Sequence, residues 1–337
     1  MVEAHCHLAK RIVWLNSEPM TKDISAQSAI DVEIDELRAM SQKTARTTVH
    51  ALEDRLYKIH PVLDHGFVRV VDYMGDDASV VQSARVSYGK GTKSVRDDEG
   101  LIRYLMRHRH STPFEMCEIK LHIKLPIFVA RQWIRHRTAN VNEYSARYSV
   151  LDKEFYVPAP EHLAAQSVVN NQGRGAVLEG DEAQWVLNAL RQDSDAAYDR
   201  YEELLNERHG GAIIDENRQG LARELARMML PLNTYTQWYW KIDLNNLMHF
   251  LALRADPHAQ YEIRAYADVM IQILHDWVPF TAKAFEDYRV GAFEMSAQMV
   301  QAAQRMLKGE QIVREDTEMS RREWSEFCRV LDLPEQA

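Results

Sequence analysis

Apolar positions along the chain repeat with two periods. Between Cys117 and Leu125 they alternate without a break. Cys117, Ile119, Leu121, Ile123 and Leu125 fall on one side, and Glu118, Lys120, His122 and Lys124 on the other. A period of two predicts a strand with one buried face. Thr234–Ile242, rich in aromatic and β-branched residues, predicts another. The helical period governs most of the rest. Ala78–Val86 is one helix. Leu101, Ile102, Leu105 and Met106 form the apolar face of a second, with Asp97, Asp98 and Glu99 at its start and Arg107, His108 and Arg109 at its end, as the macrodipole favours. Pro126 suits a first helical position, and the helix it opens carries Arg131 and Arg135 at i,i+4 on one face. Asp181–Glu207 is a long amphipathic helix stopped by Gly210-Gly211. Gly220–Leu230 is shorter and again carries two arginines, Arg223 and Arg227, at i,i+4. Asp243 is placed to N-cap a helix running to Arg254, and Asp256-Pro257 opens one reaching Trp277.

The flanks differ. Residues 1 to about 61 are polar around one helical stretch, Thr44–Ile59, and the compact pattern begins at Gly66. Pro158–Arg174 is polar and contains Gly and Asn, which predicts a loop. Residues beyond about 292 look helical and charged. The chain therefore divides into an N-terminal extension (1–61), a main domain (62–292) and a C-terminal extension (293–337). Strands and helices do not alternate regularly, so the expected class is α+β: a helix-rich domain with a small twisted sheet.

Composition narrows the function. The formal net charge of −9 argues against general nucleic-acid or membrane-surface binding. No apolar run approaches the roughly 20 residues that cross a bilayer, and the first residues lack the zones of a signal peptide. Three cysteines, Cys6, Cys117 and Cys328, form no C-x-x-C pair, which fits a reducing cytoplasm better than a disulfide framework. His5-Cys6-His7 has no companions, so no metal is expected. There is no G-x-G-x-x-G and no Walker A motif. Gly89-Lys90-Gly91-Thr92-Lys93-Ser94 lacks the required spacing, so side chains must hold any phosphate.

Against that acidic background, Arg131–Ser149 concentrates Arg131, Arg135, Arg137 and Arg147 with a single acid, Glu143. Basic residues commonly decorate a helix C-terminus. Like charges at i,i+4, however, cost a few tenths of a kcal/mol unless an anion lies between them. Asn140 and Asn142 then turn the chain, and Glu143, Tyr144, Ser145 and Arg147 add acceptors, donors and another fork. Arginine grips phosphate bidentately and stacks on planar rings, so the set suits a nucleotide. Arg254 shares a helix face with Leu247 and Leu251. It either snorkels to water or pairs with Asp256, or it is a half-buried cation aimed at a ligand; spacing does not choose. His110-Ser111-Thr112-Pro113-Phe114-Glu115 reads as a turn before the strand.

These segments resemble the flavin-dependent thymidylate synthase family. Arg135-His136-Arg137, seven residues, then Ser145 is its RHR-x7-S motif. HSTPFE at 110–115, PIFVARQWIRHR at 126–137, EFYVPAPE at 154–161, ELARMMLPLNTYT at 224–236 and LRADPHAQYEI at 253–263 follow in family order, over roughly 66–290. The resemblance implies conversion of dUMP to dTMP, with methylenetetrahydrofolate as carbon donor and reduced FAD, recharged by NADPH, as hydride donor. It implies a homotetramer with FAD and dUMP where subunits meet. It places Thr112, Arg135, His136, Arg137, Glu143, Asp243, Asn245 and His249 at FAD, and His110 near flavin or folate. Gln132, Trp133, Ile134, Arg135, Glu143, Tyr144, Ser145, Arg147, Arg227 and Arg254 fall at dUMP, with Arg254 the catalytic residue favouring ionisation at uracil N3. Asp243 and Asn245 stand where relatives carry an Asn-x-Arg pattern, so Asp243 is either a flavin contact or only a helix cap. Ser145 binds phosphate or base, or is a nucleophile needing a base the sequence cannot place. Cys117 belongs to the apolar face of a strand. A nucleotide-binding module without turnover and an unrelated flavoprotein oxidoreductase are the other classes to weigh.

Overall fold

The computed structural model describes residues 32, 34–40, 43–86, 95–168 and 173–334, the side chains of 95–97 excepted. His5-Cys6-His7 and Gly89–Ser94 lie outside the described residues. A short helix α1 (His50–Glu53) precedes strands β1 (Ile59–Val62) and β2 (Gly66–Met74). Helices α2 (Asp77–Arg85), α3 (Val95–Arg107) and α4 (Thr112–Glu115) lead to β3 (Glu118–Pro126), α5 (Ile127–Trp133) and β4 (Asn140–Glu143). A hairpin, β5 (Ala164–Gln166) and β6 (Arg174–Val177), precedes the long α6 (Gly180–Leu205) and the four-residue α7 (Arg223–Ala226). The remainder is β7 (Tyr235–Asp243), α8 (Leu244–Arg254), α9 (Tyr261–Trp277), α10 (Pro279–Phe285), α11 (Ala297–Leu307) and α12 (Arg321–Val330).

Five strands form one antiparallel sheet in the order β1-β2-β3-β7-β4. The alternation seen in the sequence sets its buried face. Ile119, Leu121, Ile123 and Leu125 of β3 point inward with Val68 and Val70 of β2 and Trp238, Trp240 and Ile242 of β7. Helices α5, α8 and α9 supply the opposing layer. The Tyr266 hydroxyl of α9 donates to the Lys124 carbonyl at 2.7 Å. Gly66 allows that approach, because a Cβ there would collide with the Tyr266 hydroxyl and the Val62 and Lys124 carbonyls. An α+β fold, helix-rich with a small sheet, is what the two periods predicted.

Several boundaries move. The sheet begins at Ile59, upstream of Gly66, and Leu52 is fully buried in the main core. The expected limit at 61/62 therefore cuts a strand, and Thr44–Ile59 is helical only over His50–Glu53. Pro126 is the N-cap of α5 rather than its first residue, and α5 ends at Trp133. Arg135 thus lies beyond the helix, and Arg131 and Arg135 do not share a helical face. The predicted loop at 158–174 contains half a hairpin, fixed to α9 by Arg174, whose Nη2 donates to both Glu262 oxygens at 2.6 Å. α6 stops at Asn206, not at the Gly pair. Asn206 adopts φ 59°, and its side chain bonds Asp215 N and the Asp215 and Arg218 carbonyls. The predicted helix at 220–230 shrinks to α7 plus a 3-10 turn. Asp256 accepts from His258 N within a turn, so α9 begins only at Tyr261.

Beyond α10 the chain forms a second, smaller core, where Met299 of α11 packs with Trp324, Phe327 and Cys328 of α12. No helix among the described residues is long and apolar enough to cross a membrane.

Candidate active site

The site is built outward from Trp133. At the last turn of α5 its indole is 0% exposed and meets Trp240 edge-on at 5.3 Å, with Phe250 at 4.6 Å and Tyr266 at 5.8 Å. Aromatic pairs at these separations add to burial itself. This anchor fixes the direction in which Arg135, His136 and Arg137 leave the helix. The resemblance sets Trp133 at dUMP; here its ring is enclosed by core. Ile134 beside it is exposed.

A cavity of about 830 Å³ opens beyond the helix end. Arg135, His136, Arg137, His110 and Ser111 meet Asn245, His249 and Arg254 of α8 there. Segments more than a hundred residues apart converge because α5 and α8 pack on the same sheet face. Arg254 is half-buried, and its Nε donates to Nε2 of His136 at 2.9 Å. It does not pair with Asp256, whose carboxylate is taken by His258. Burial, then the neighbouring charges of Arg254 and His249, push the His136 pKa down to about 4. His136 is therefore neutral at pH 7, with its proton on Nδ1 and Nε2 accepting. Its carbon shifts in an NMR titration should show a midpoint near 4; a midpoint near 6.5 would remove the Arg254 contact from the solution structure. Stability follows the same sign. Between about 6.5 and 4 the unfolded chain takes up a proton that the folded imidazole refuses, so this contribution is lost as pH falls.

Arg131, Arg135 and Arg137 are exposed and have no ion-pair partner among the described residues. The Gln132 Oε1 is buried without a hydrogen-bond partner. Of these arginines, Arg135 and Arg137 line the cavity, and unpaired cations in the wall of a cavity of ligand size fit a large anionic ligand. The donor set suits FAD: two guanidinium groups for a diphosphate, and amides and imidazoles for a flat ring.

The other expected residues sit elsewhere. Thr112 opens α4 and is exposed, but it does not line the cavity. Asp243 is a helix cap: its two oxygens accept from Asn246 N at 2.9 Å and Asn246 Nδ2 at 2.6 Å, and it does not line the cavity. Glu143 accepts from Thr236 Oγ1 at 2.8 Å on β4. Tyr144 and Arg147 are exposed beyond it. The Ser145 hydroxyl accepts from Arg147 N at 3.3 Å, and no base is hydrogen-bonded to it among the described residues. Arg147 and Arg227 come together at one residue. Arg147 Nη2 lies 3.8 Å from a Glu224 oxygen, and Arg227 Nε donates to the Glu224 carbonyl at 3.2 Å. Arg223 pairs instead with Glu207. Cys117 is a core thiol, 0% exposed and pushed up to about 12 by burial. No cluster of three or more metal-ligating side chains occurs among the described residues.

One chain thus assembles two groups, a cavity around His136 and Arg254 and a basic corner at Arg147 and Arg227. Sequence reasoning missed Arg109, Arg289 and Glu294, which line the cavity. Arg109 was visible as one of three basic residues at a helix end; Arg289 and Glu294 carry no local signal.

Residues 69–280 match the protein family described as "Thymidylate synthase complementing protein". A flavin-dependent thymidylate synthase from Ruegeria pomeroyi is 66% identical over 299 residues, which is 89% of this chain and 96% of that one. The flavin-dependent thymidylate synthase of Gluconobacter oxydans is 64% identical over 300 residues, with the same coverage of 89% and 96%. Among solved structures, the UMP/dUMP methylase PolB from Streptomyces cacaoi, bound with 5-Br dUMP, aligns at a TM-score of 0.60 and 33% identity. That alignment covers 68% of this chain and 97% of PolB.

Proposed function

This chain belongs to the flavin-dependent thymidylate synthase family, and from that premise we propose that the cavity at His136 and Arg254 is where it carries out the family's reaction. The enzyme converts dUMP to dTMP, taking the carbon from methylenetetrahydrofolate and releasing tetrahydrofolate. Bound FAD, reduced by NADPH, supplies the hydride. Arg135 and Arg137 hold its diphosphate, with His136, Asn245 and His249 against its polar edges and His110 at the flavin or folate face.

The observation that carries the assignment is the Arg254–His136 contact. Arginine keeps its proton and cannot act as a base. Here its Nε is committed to a neutral imidazole, which leaves the two terminal nitrogens free of partners among the described residues. They are held in a half-buried site, where a fixed positive charge acts more strongly than in water. Negative charge developing on the uracil ring during activation is stabilised by such a group. His136 positions the guanidinium without competing for the charge.

Arg147 and Arg227 grip the dUMP phosphate, with Gln132, Glu143, Tyr144 and Ser145 towards sugar and base. Ser145 is a binding residue, not a nucleophile. The basic corner does not line the cavity of its own chain. We therefore infer that a second copy completes the site and that the enzyme works as a homotetramer. We place it in the cytoplasm, where the buried thiols of Cys117 and Cys328 stay reduced.

Purified enzyme given dUMP, methylenetetrahydrofolate, FAD and NADPH should form dTMP and tetrahydrofolate in equal amounts; NADPH oxidation without dTMP would sink this reading. Arg227→Ala separates binding from chemistry. A phosphate contact is shared by ground and transition states. The apparent KM for dUMP should rise about tenfold or more, as expected for a charge-assisted bond, while kcat changes little. A fall in kcat at constant KM would take Arg227 off the phosphate.

A further inference from the structure

Five arginines line the cavity, namely Arg109, Arg135, Arg137, Arg254 and Arg289, against one carboxylate, Glu294. That carboxylate comes from beyond residue 280, where the family match ends. It enters the cavity wall from the segment joining α10 to α11 and makes an ion pair with Arg109.

Arg109 is held in an unusual way. Its backbone lies in the left-handed region at φ 57°, which non-glycine residues rarely occupy unless their surroundings impose it. The bend turns the chain out of α3 directly into His110. Arg289 approaches the same wall after α10. The N-terminus of α10 is pinned by the buried Asp77, whose carboxylate accepts from Phe280 N at 2.8 Å and Thr281 N at 3.0 Å. Arg289 Nη2 donates to the Met106 carbonyl at 3.1 Å, one turn from Arg109. Burial and then the charge of Arg109 lower its pKa. Two like charges share a wall, and an anion placed between them relieves both. Glu294 supplies such an anion to Arg109, and its side chain is 77% exposed, so a competing carboxylate can reach the pair from solvent.

The ligands of the reaction carry several anionic groups. The dUMP phosphate has Arg147 and Arg227, and the FAD diphosphate has Arg135 and Arg137. The carboxylates at the glutamate end of the folate have no arginine assigned, and Arg109 and Arg289 remain, next to His110. We propose that Arg109 and Arg289 form a subsite for a carboxylate of that glutamate end, which Glu294 fills as an internal carboxylate until the folate displaces it. The proposal rests on the thymidylate synthase reading and deepens it. A phosphate of NADPH would satisfy the same charges, and the test separates the two.

FAD-loaded enzyme is titrated calorimetrically with tetrahydrofolate and with tetrahydropteroate, which lacks the glutamate. NADPH affinity is read separately from the rate of flavin reduction. Arg109→Gln should weaken tetrahydrofolate about tenfold, the scale of one charge-assisted contact, and leave tetrahydropteroate unchanged. Glu294→Gln, at an exposed position that does not threaten folding, should tighten tetrahydrofolate severalfold with no effect on tetrahydropteroate. Equal weakening of both compounds in Arg109→Gln, weaker NADPH with unchanged folate, or weaker tetrahydrofolate in Glu294→Gln each overturns the subsite. Wild-type enzyme that forms dTMP but binds the two compounds alike overturns it while leaving the proposed reaction intact. Wild-type enzyme that forms no dTMP fails at the earlier reading.

Discussion

Arg254→Ala should retain FAD, oxidise NADPH slowly with oxygen, and lose dTMP formation by about 10²–10³-fold, the usual cost of removing one preorganised donor to developing charge. The loss belongs in kcat, because the charge it stabilises is small on the bound uracil and grows in the transition state. Arg254→Lys should recover only part of the rate. Lysine keeps the positive charge but cannot donate to His136 Nε2 and present two further N–H groups in one plane. Turnover normalised to bound flavin is the quantity to measure, since a helix residue that served only stability would reduce the yield of folded enzyme and leave that ratio unchanged. Near-wild-type turnover per flavin in Arg254→Ala would take the residue out of the chemistry.

Trp133→Ala should be the most destabilising single change near the site. The residue is 0% exposed and contacts Trp238, Trp240, Phe250 and Tyr266. Truncating a buried Trp typically costs about 3–5 kcal/mol, a large share of the roughly 5–15 kcal/mol that holds most domains folded. Unfolding midpoints should fall by roughly 5–15 °C, and FAD retention should fall with them, because the anchor of Arg135–Arg137 is gone. Trp133→Phe should keep much of both. Thermal melts followed by flavin release test the point, and an unchanged melt in the alanine variant would contradict the packing described.

Much of this was legible in the chain. β3 was readable residue by residue because burial on one sheet face imposes a strict period of two. The capping of α8 by Asp243 was readable because it is local. The errors share a different cause. α5 stops at Trp133 although apolar and basic residues continue the pattern, so periodicity alone overran the helix end. α6 ends at Asn206, whose side chain satisfies three backbone groups of the following loop, so the Gly pair is not needed. The β5–β6 hairpin has a polar sequence and is held by Arg174 and Glu262, residues 88 positions apart. Within the site, resemblance supplied the residues around the RHR motif. Only the folded chain separates Asn245 and His249, in the cavity, from Asp243 and Thr112, outside it. Arg289 and Glu294 could not be read locally, because their meaning depends on Arg109, far away in sequence.

The second core has a consequence for how an anion competes for the cavity wall. α11 and α12 pack mainly on each other, through Met299, Trp324 and Phe327, apart from the residues that hold the sheet. Such a unit can open while the main core stays closed. Glu294 sits at its root, so the carboxylate facing Arg109 is tethered rather than dissolved. Tethering over a short span gives an effective concentration on the order of millimolar. A free ligand at micromolar levels competes against that figure, and its apparent affinity is discounted accordingly. The discount vanishes whenever the unit swings away. The stability of a small C-terminal packing, distant in sequence from every catalytic motif, would then tune how tightly the enzyme holds its co-substrate.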